Sequence, residues 1–83
     1  PPVNISTYFP DYTGQEIEKI QKRLKNLGFY TYPPDGYVGS KTWRALADFQ
    51  RVYRLKRTGT PTNETLFWLY SGVEPSQQRH SDK

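Results

Sequence analysis

The chain has 83 residues, no cysteine and a formal net charge of +4. That length holds one small domain, the missing thiols exclude disulfides and thiolate metal sites, and no apolar run approaches the roughly 20 residues that cross a bilayer as a helix. The positive charge suits an anionic partner, whether nucleic acid, an acidic wall polymer or a membrane surface, as well as plain solubility. Seven tyrosines, four phenylalanines and two tryptophans exceed what so small a core uses. Exposed Tyr and Trp offer an apolar ring and a polar tip to sugars, bases or proteins.

Residues 1–12, "PPVNISTYFPDY", carry three prolines and no helical period, and are expected to form an extended arm or linker. This start shows neither Met nor a leader pattern, as expected of a processed chain or a piece of a longer one. The first helix is predicted from Thr13, where "TGQE" forms a capping box. Ile17, Ile20, Gln21, Leu24 and Leu27 then share one helix face, and Lys19, Lys22, Arg23 and Lys25 take the others. Gly28 ends the helix, because glycine adopts the left-handed conformation without a Cβ penalty.

"FYTYPPDGYVG" follows, with a turn at Pro33-Pro34-Asp35-Gly36: proline fixes φ and glycine supplies a positive φ. Ser40 or Gly39 caps a second helix to about Tyr53, buried through Thr42, Ala45, Leu46, Phe49 and Val52 or Tyr53. Leu55 is expected in the core after it. A second loop, "KRTGTPTNET", leads to Thr62 as the cap of a short third helix, about residues 63–70, with Leu66 and Leu69 or Trp68 inward and Gly72 as its stop. Residues 73–83 are polar and expected to be a disordered tail. The domain is thus expected over 13–72. The fold class is all-α, a small three-helix bundle with two Gly-turn loops.

The two loops echo each other at a spacing of 23 residues. Gly36 maps onto Gly59, Gly39 onto Thr62, Thr42 onto Thr65, Leu46 onto Leu69 and Tyr32 onto Leu55. Such self-similarity points to a small duplication. In each copy a Thr hydroxyl near the helix start can bond the backbone and pin the loop. Features present twice are expected to be structural. Gln50 is expected to bond loop backbone, and Tyr32, opposite Leu55, to be core.

Residues 17–70 resemble the peptidoglycan-binding domain found beside many bacterial cell-wall hydrolases. The resemblance runs through "IQKRLKNLGFY", "DGYVGSKTWRALADFQ", "YRLKRTG" and "TNETLFWL". It is most specific in the Asp-Gly-x-x-Gly-x-x-Thr run followed by x-x-Ala-x-x-x-Phe-Gln. Thr58-Gly59 stands where many members carry Asp-Gly, and Thr62 where many carry Gly; both keep the turn and the cap. The resemblance implies a three-helix bundle and a non-catalytic module that targets a larger protein to peptidoglycan, outside the bacterial cytoplasm. The alternative is a protein–protein interaction module of a secreted or phage-associated assembly, suggested by the aromatic arm. The related propeptide of matrix metalloproteinases needs a zinc-blocking cysteine, which this chain lacks.

No catalytic, metal or cofactor site is expected. The single histidine, His80, lies in the tail, so neither zinc nor a Ser–His–Asp arrangement has its ligands. Among the acids that a wall glycosidase would need in a pair, Asp35 suits a turn, Asp48 a surface ion pair with Arg44 or Arg51, and Glu64 the first turn of helix three. That helix has no Lys or Arg, which argues against a nucleic-acid recognition helix. No membrane partner and a monomeric state are expected. Candidate ligand-binding residues are Tyr37, Trp43, Arg44, Tyr30 and Arg51, aromatics for stacking beside arginines that suit peptide-stem carboxylates. Tyr37, Trp43 and Arg44 stand out because their echo counterparts are Thr60, Leu66 and Phe67.

Overall fold

The structure, a computed structural model, describes residues 12–78. Over them the chain forms three α-helices and no strand: α1 (Gly14–Asn26), α2 (Ser40–Val52) and α3 (Asn63–Ser71), then a single 3-10 turn, Pro75–Gln77. None of these helices is long and apolar enough to cross a membrane.

α1 starts where its capping box dictates. The Glu16 N–H donates to Thr13 Oγ1 at 3.2 Å, and the Thr13 N–H donates to Glu16 Oε1 at 2.8 Å, so two orphan donors are satisfied reciprocally. It buries Ile17, Ile20, Gln21 and Leu24, with Leu27 packed at the margin of the core. At its end Gly28 takes φ 90°, its N–H bonding the Lys25 carbonyl and the Phe29 N–H reaching back to the Leu24 carbonyl at 2.8 Å. This is a Schellman closure.

α2 buries Thr42, Ala45, Leu46, Phe49 and Gln50, and Tyr53 caps it from the core. It closes by the same pattern as α1: the Arg54 N–H bonds the Arg51 carbonyl and the Leu55 N–H bonds the Gln50 carbonyl at 2.7 Å. The left-handed position is here Arg54, at φ 57°. α3 is capped by Thr62, which accepts the Thr65 N–H, and stopped by left-handed Gly72, as the sequence predicts. It turns Thr65 and Leu69 inward.

The core is one cluster in which Phe49 is central, stacked on Tyr53 at 4.2 Å and meeting the edge of Phe29 at 5.5 Å. Removing such apolar side chains from water stabilises the fold by roughly 1.5–3 kcal/mol each. Arg23 on α1 donates to the Leu69 carbonyl at 2.8 Å, tying the first helix to the carbonyl end of the third, where a cation is favoured.

Most of the expected arm (1–12) and part of the expected tail (73–83) lie outside the described residues. Tyr12 belongs to the folded body, packing on the core while its hydroxyl donates to the Pro61 carbonyl at 3.0 Å. Residues 73–78 also differ from a disordered tail. Tyr53 Oη donates to the Val73 carbonyl at 2.8 Å, the 3-10 turn follows, and Gln78 is buried. A polar composition hides this anchor, because the tyrosine that holds it is the C-cap of α2, 20 residues earlier in the chain.

Candidate functional site

The loop between α1 and α2 is organised by a buried amide. Gln21, with no exposed surface, accepts from the Asp35 and Gly36 N–H groups, each at 2.9 Å. Its Nε2 lies 2.8 Å from Thr42 Oγ1 and 2.9 Å from the Tyr37 carbonyl. Asp35 Oδ1 accepts the Tyr37 N–H at 2.9 Å, completing the turn, and the Thr42 hydroxyl donates to the Tyr37 carbonyl at 3.1 Å. Asp35 thus serves the turn, and the Thr hydroxyl pins loop to helix, as the sequence predicts.

The second loop repeats the frame with other residues. Gln50 accepts the Gly59 N–H at 2.8 Å and donates toward Thr65 Oγ1 at 2.8 Å and the Thr60 carbonyl at 2.9 Å. Thr58 replaces Asp35: its hydroxyl accepts the Thr60 N–H at 3.1 Å. The Thr58-Gly59 departure therefore conserves the turn chemistry. Gln50 bonds loop backbone, as expected of it.

The loops differ in length, and the difference shapes a concavity beside α2. The paired helix closures superpose Phe29 on Leu55, whereas the turns superpose Gly36 on Gly59. The first loop therefore carries three more residues between these points than the second. They raise a wall, residues 29–32, against α2. Between them lies an open groove of about 290 Å³, lined by Phe29–Tyr32, Ser40, Lys41, Arg44, Ala45 and Asp48.

This register also corrects the expectation that Tyr32 is core. The turn spacing, carried back through a longer loop, sets it opposite Leu55; Phe29 is the true counterpart. Tyr32 is 44% exposed, its ring under the Lys41 ammonium at 4.1 Å. Tyr30 is the buried one, 3% exposed, and meets the Tyr32 ring edge-on at 5.8 Å. Burial pushes the Tyr30 hydroxyl above its ordinary value near 10, although its contact with Thr42 works the other way.

Of the five candidate ligand residues, Tyr30 and Arg44 line the groove and Tyr37, Trp43 and Arg51 do not. Tyr37 projects from the turn, 72% exposed. The Trp43 indole lies over Gly59, close enough that a Cβ there would strike its ring nitrogen. Arg51 reaches Asp48 at 3.9 Å on an exposed face. Arg44 forms no hydrogen bond or ion pair among the described residues. The groove also brings in Lys41 and Asp48, which the sequence does not single out as ligand residues, and Tyr32, which the sequence offers as an aromatic of the loop but favours as core. Lys41, Arg44, Ala45 and Asp48 are spaced i, i+3, i+4 and i+7, which puts them on one helix face; that spacing was the available signal. Among the described residues no group of three or more His, Cys, Asp and Glu gathers to hold a metal.

Residues 13–69 match the model of the family described as "Putative peptidoglycan binding domain". Among curated proteins, the chain is 44% identical over 57 residues to "N-acetylmuramoyl-L-alanine amidase CwlM" of Mycobacterium tuberculosis, covering 69% of this chain and 14% of that protein. It is 45% identical over 51 residues to "Putative OxPP cycle protein OpcA" of Nostoc punctiforme, covering 61% of this chain and 11% of that protein. It is 40% identical over 47 residues to the "Spore cortex-lytic enzyme" of Bacillus cereus, covering 57% and 18%. The chain thus spans less than a fifth of each of these relatives. No solved structure matches it. The match takes in all but the last two residues of the three helices, both loops and both glutamine frames, and on that ground the chain belongs to the peptidoglycan-binding domain family.

Proposed function

We propose that this domain is a non-catalytic module that holds a larger protein on peptidoglycan, outside the cytoplasm, and that it docks through the groove between residues 29–32 and α2. The observation that carries this reading is the family match over residues 13–69. The groove supports the location: it is the part of the molecule that the second loop does not duplicate, and its α2 wall offers the Arg44 guanidinium without a partner among the described residues. Arg is suited to carboxylates because its planar fork meets both oxygens. Tyr37, Trp43 and Arg51 stand outside the groove and would contact only the outer parts of a long polymer.

The test is co-sedimentation of the chain with purified sacculi. Retention at moderate salt is expected, and a chain that stays in the supernatant contradicts the proposal. A second reading rests on α3, whose Phe67 and Tyr70 are 65% and 52% exposed. Those rings favour a protein partner. Phe67→Ser with Tyr70→Ser separates the two readings: sacculus retention survives those changes if the groove is the wall site.

A further inference from the structure

We infer that the groove reads the peptide stem of the wall rather than its glycan, holding a stem carboxylate at Lys41 and Arg44 and a free stem amine at Asp48; this rests on the wall-binding reading above. Glycan sites commonly stack sugar rings on free aromatic faces. The groove's two tyrosines offer at most one such face. Tyr30 is 3% exposed, and the Lys41 ammonium sits over one face of the Tyr32 ring at 4.1 Å. What the groove offers is charge, laid out along α2.

Lys41, Arg44 and Asp48 all line it. Helical rise places Lys41 and Arg44 about 4.5 Å apart along the axis and Asp48 about 6 Å beyond Arg44. Arg44 and Asp48 are i and i+4, a spacing at which opposite charges commonly pair. They do not: the carboxylate leans instead to Arg51 at 3.9 Å, and the guanidinium stays without a partner among the described residues. One wall therefore presents two cations and then an anion, with Arg44 and Asp48 not cancelling each other and Asp48 held only by an exposed pair at 3.9 Å. An extended dipeptide spans about 7 Å, so a stem end bearing a carboxylate at one point and an amine one or two residues away matches the layout. The wall opposite, residues 29–32, is held in place by Lys25 donating to the Tyr32 carbonyl at 3.5 Å and by the buried Tyr30, and it confines such a peptide to one track.

The experiment is a backbone-amide NMR titration of the whole chain with four probes. These are the stem tetrapeptide N-acetyl-L-Ala-γ-D-Glu-L-Lys-D-Ala, whose one free amine is that of the lysine, the same peptide with its lysine amine acetylated, the same peptide with its carboxylates amidated, and the tetramer of N-acetylglucosamine. The free stem is expected to shift amides of residues 29–32 and 40–48. Arg44→Gln or carboxylate amidation should each weaken binding by about fivefold, the scale of one exposed charge pair. Asp48→Asn should weaken binding of the free stem and leave the acetylated stem unchanged, a difference that a merely structural role of Asp48 would not produce. Arg44 and Asp48 are exposed, so both variants are expected to fold. The inference is overturned if the sugar tetramer shifts these amides and the stem does not, or if the stem binds R44Q and D48N as it binds the unaltered chain. Sacculus retention without any stem response overturns this inference and leaves wall binding standing. Loss of retention overturns wall binding itself.

Discussion

Gln21 and Gln50 hold the two loops by one pattern: each side-chain carbonyl takes the N–H of the turn glycine, Gly36 or Gly59, and each amide nitrogen faces a threonine hydroxyl at 2.8 Å, Thr42 or Thr65. Both glutamines are fully buried. Truncating one leaves buried donors and acceptors of the loop without partners, and each such group costs about 1–3 kcal/mol. Gln21→Ala and Gln50→Ala are expected to lower stability by roughly 3 kcal/mol each, read as a lower urea midpoint. Gln50→Glu tests the chemistry separately. A carboxylate keeps the acceptor and loses the donor to Thr60 and Thr65, so the variant should be destabilised at neutral pH and recover in part when acid restores an O–H.

The turn glycines share a left-handed φ and differ in what surrounds them. A Cβ on Gly36 would sit 2.8 Å from the Gly14 carbonyl oxygen, backbone that cannot turn aside. A Cβ on Gly59 would meet the Trp43 indole, a side chain that can move. Gly36→Ala is therefore expected to cost more than the roughly 1–2 kcal/mol of left-handed strain. Gly59→Ala should shift Trp43 fluorescence. Combining it with Trp43→Ala should recover part of the loss, a coupling that a double-mutant cycle measures. Additive costs would mean that the indole does not press on the loop.

Arg54 occupies, at φ 57°, the position that Gly28 fills in the other Schellman closure. Its side chain is exposed and the backbone conformation favours glycine. Arg54→Gly is expected to stabilise the fold by about 0.5–1 kcal/mol after the added freedom of the unfolded chain is counted. A melting temperature unchanged or lower would contradict this.

Burial raises the Tyr30 and Tyr53 hydroxyl pKa values above their ordinary value near 10. The native state then keeps protons that the unfolded chain loses, so stability falls as pH rises. The contribution is intact below pH 10 and disappears as pH climbs from there through the raised values. The urea midpoint should hold below that pH and drop above it. Tyr30→Phe combined with Tyr53→Phe should flatten the drop, at the cost of the Tyr53 bond to Val73.

The frame of the fold was legible because its signals are local. The Thr13–Glu16 box, the Gly28 and Gly72 stops, the Thr62 cap and the Asp35-Gly36 turn each act within a few residues. The groove was less legible, because it depends on where the duplication changes register. Aligned by its turns alone, the chain sets Tyr32 against Leu55 and reverses the roles of Tyr30 and Tyr32; only the hydrogen bonds that close α1 and α2 pair Phe29 with Leu55. Trp43 looked like a free aromatic off the buried stripe, yet its ring rests on a glycine of a loop sixteen residues away. Helical spacing does not encode that contact. Gln21 carried a usable signal, a polar amide in the apolar stripe of α1, whose meaning appears only with the loop it holds.

The central claim is that the groove beside α2 is where the wall is held. The most direct measurement is sacculus co-sedimentation of the unaltered chain beside Lys41→Gln with Arg44→Gln, both checked for unchanged melting. The account predicts that the unaltered chain pellets and that the double variant is weakened by at least about fivefold. Equal retention of the two would contradict it.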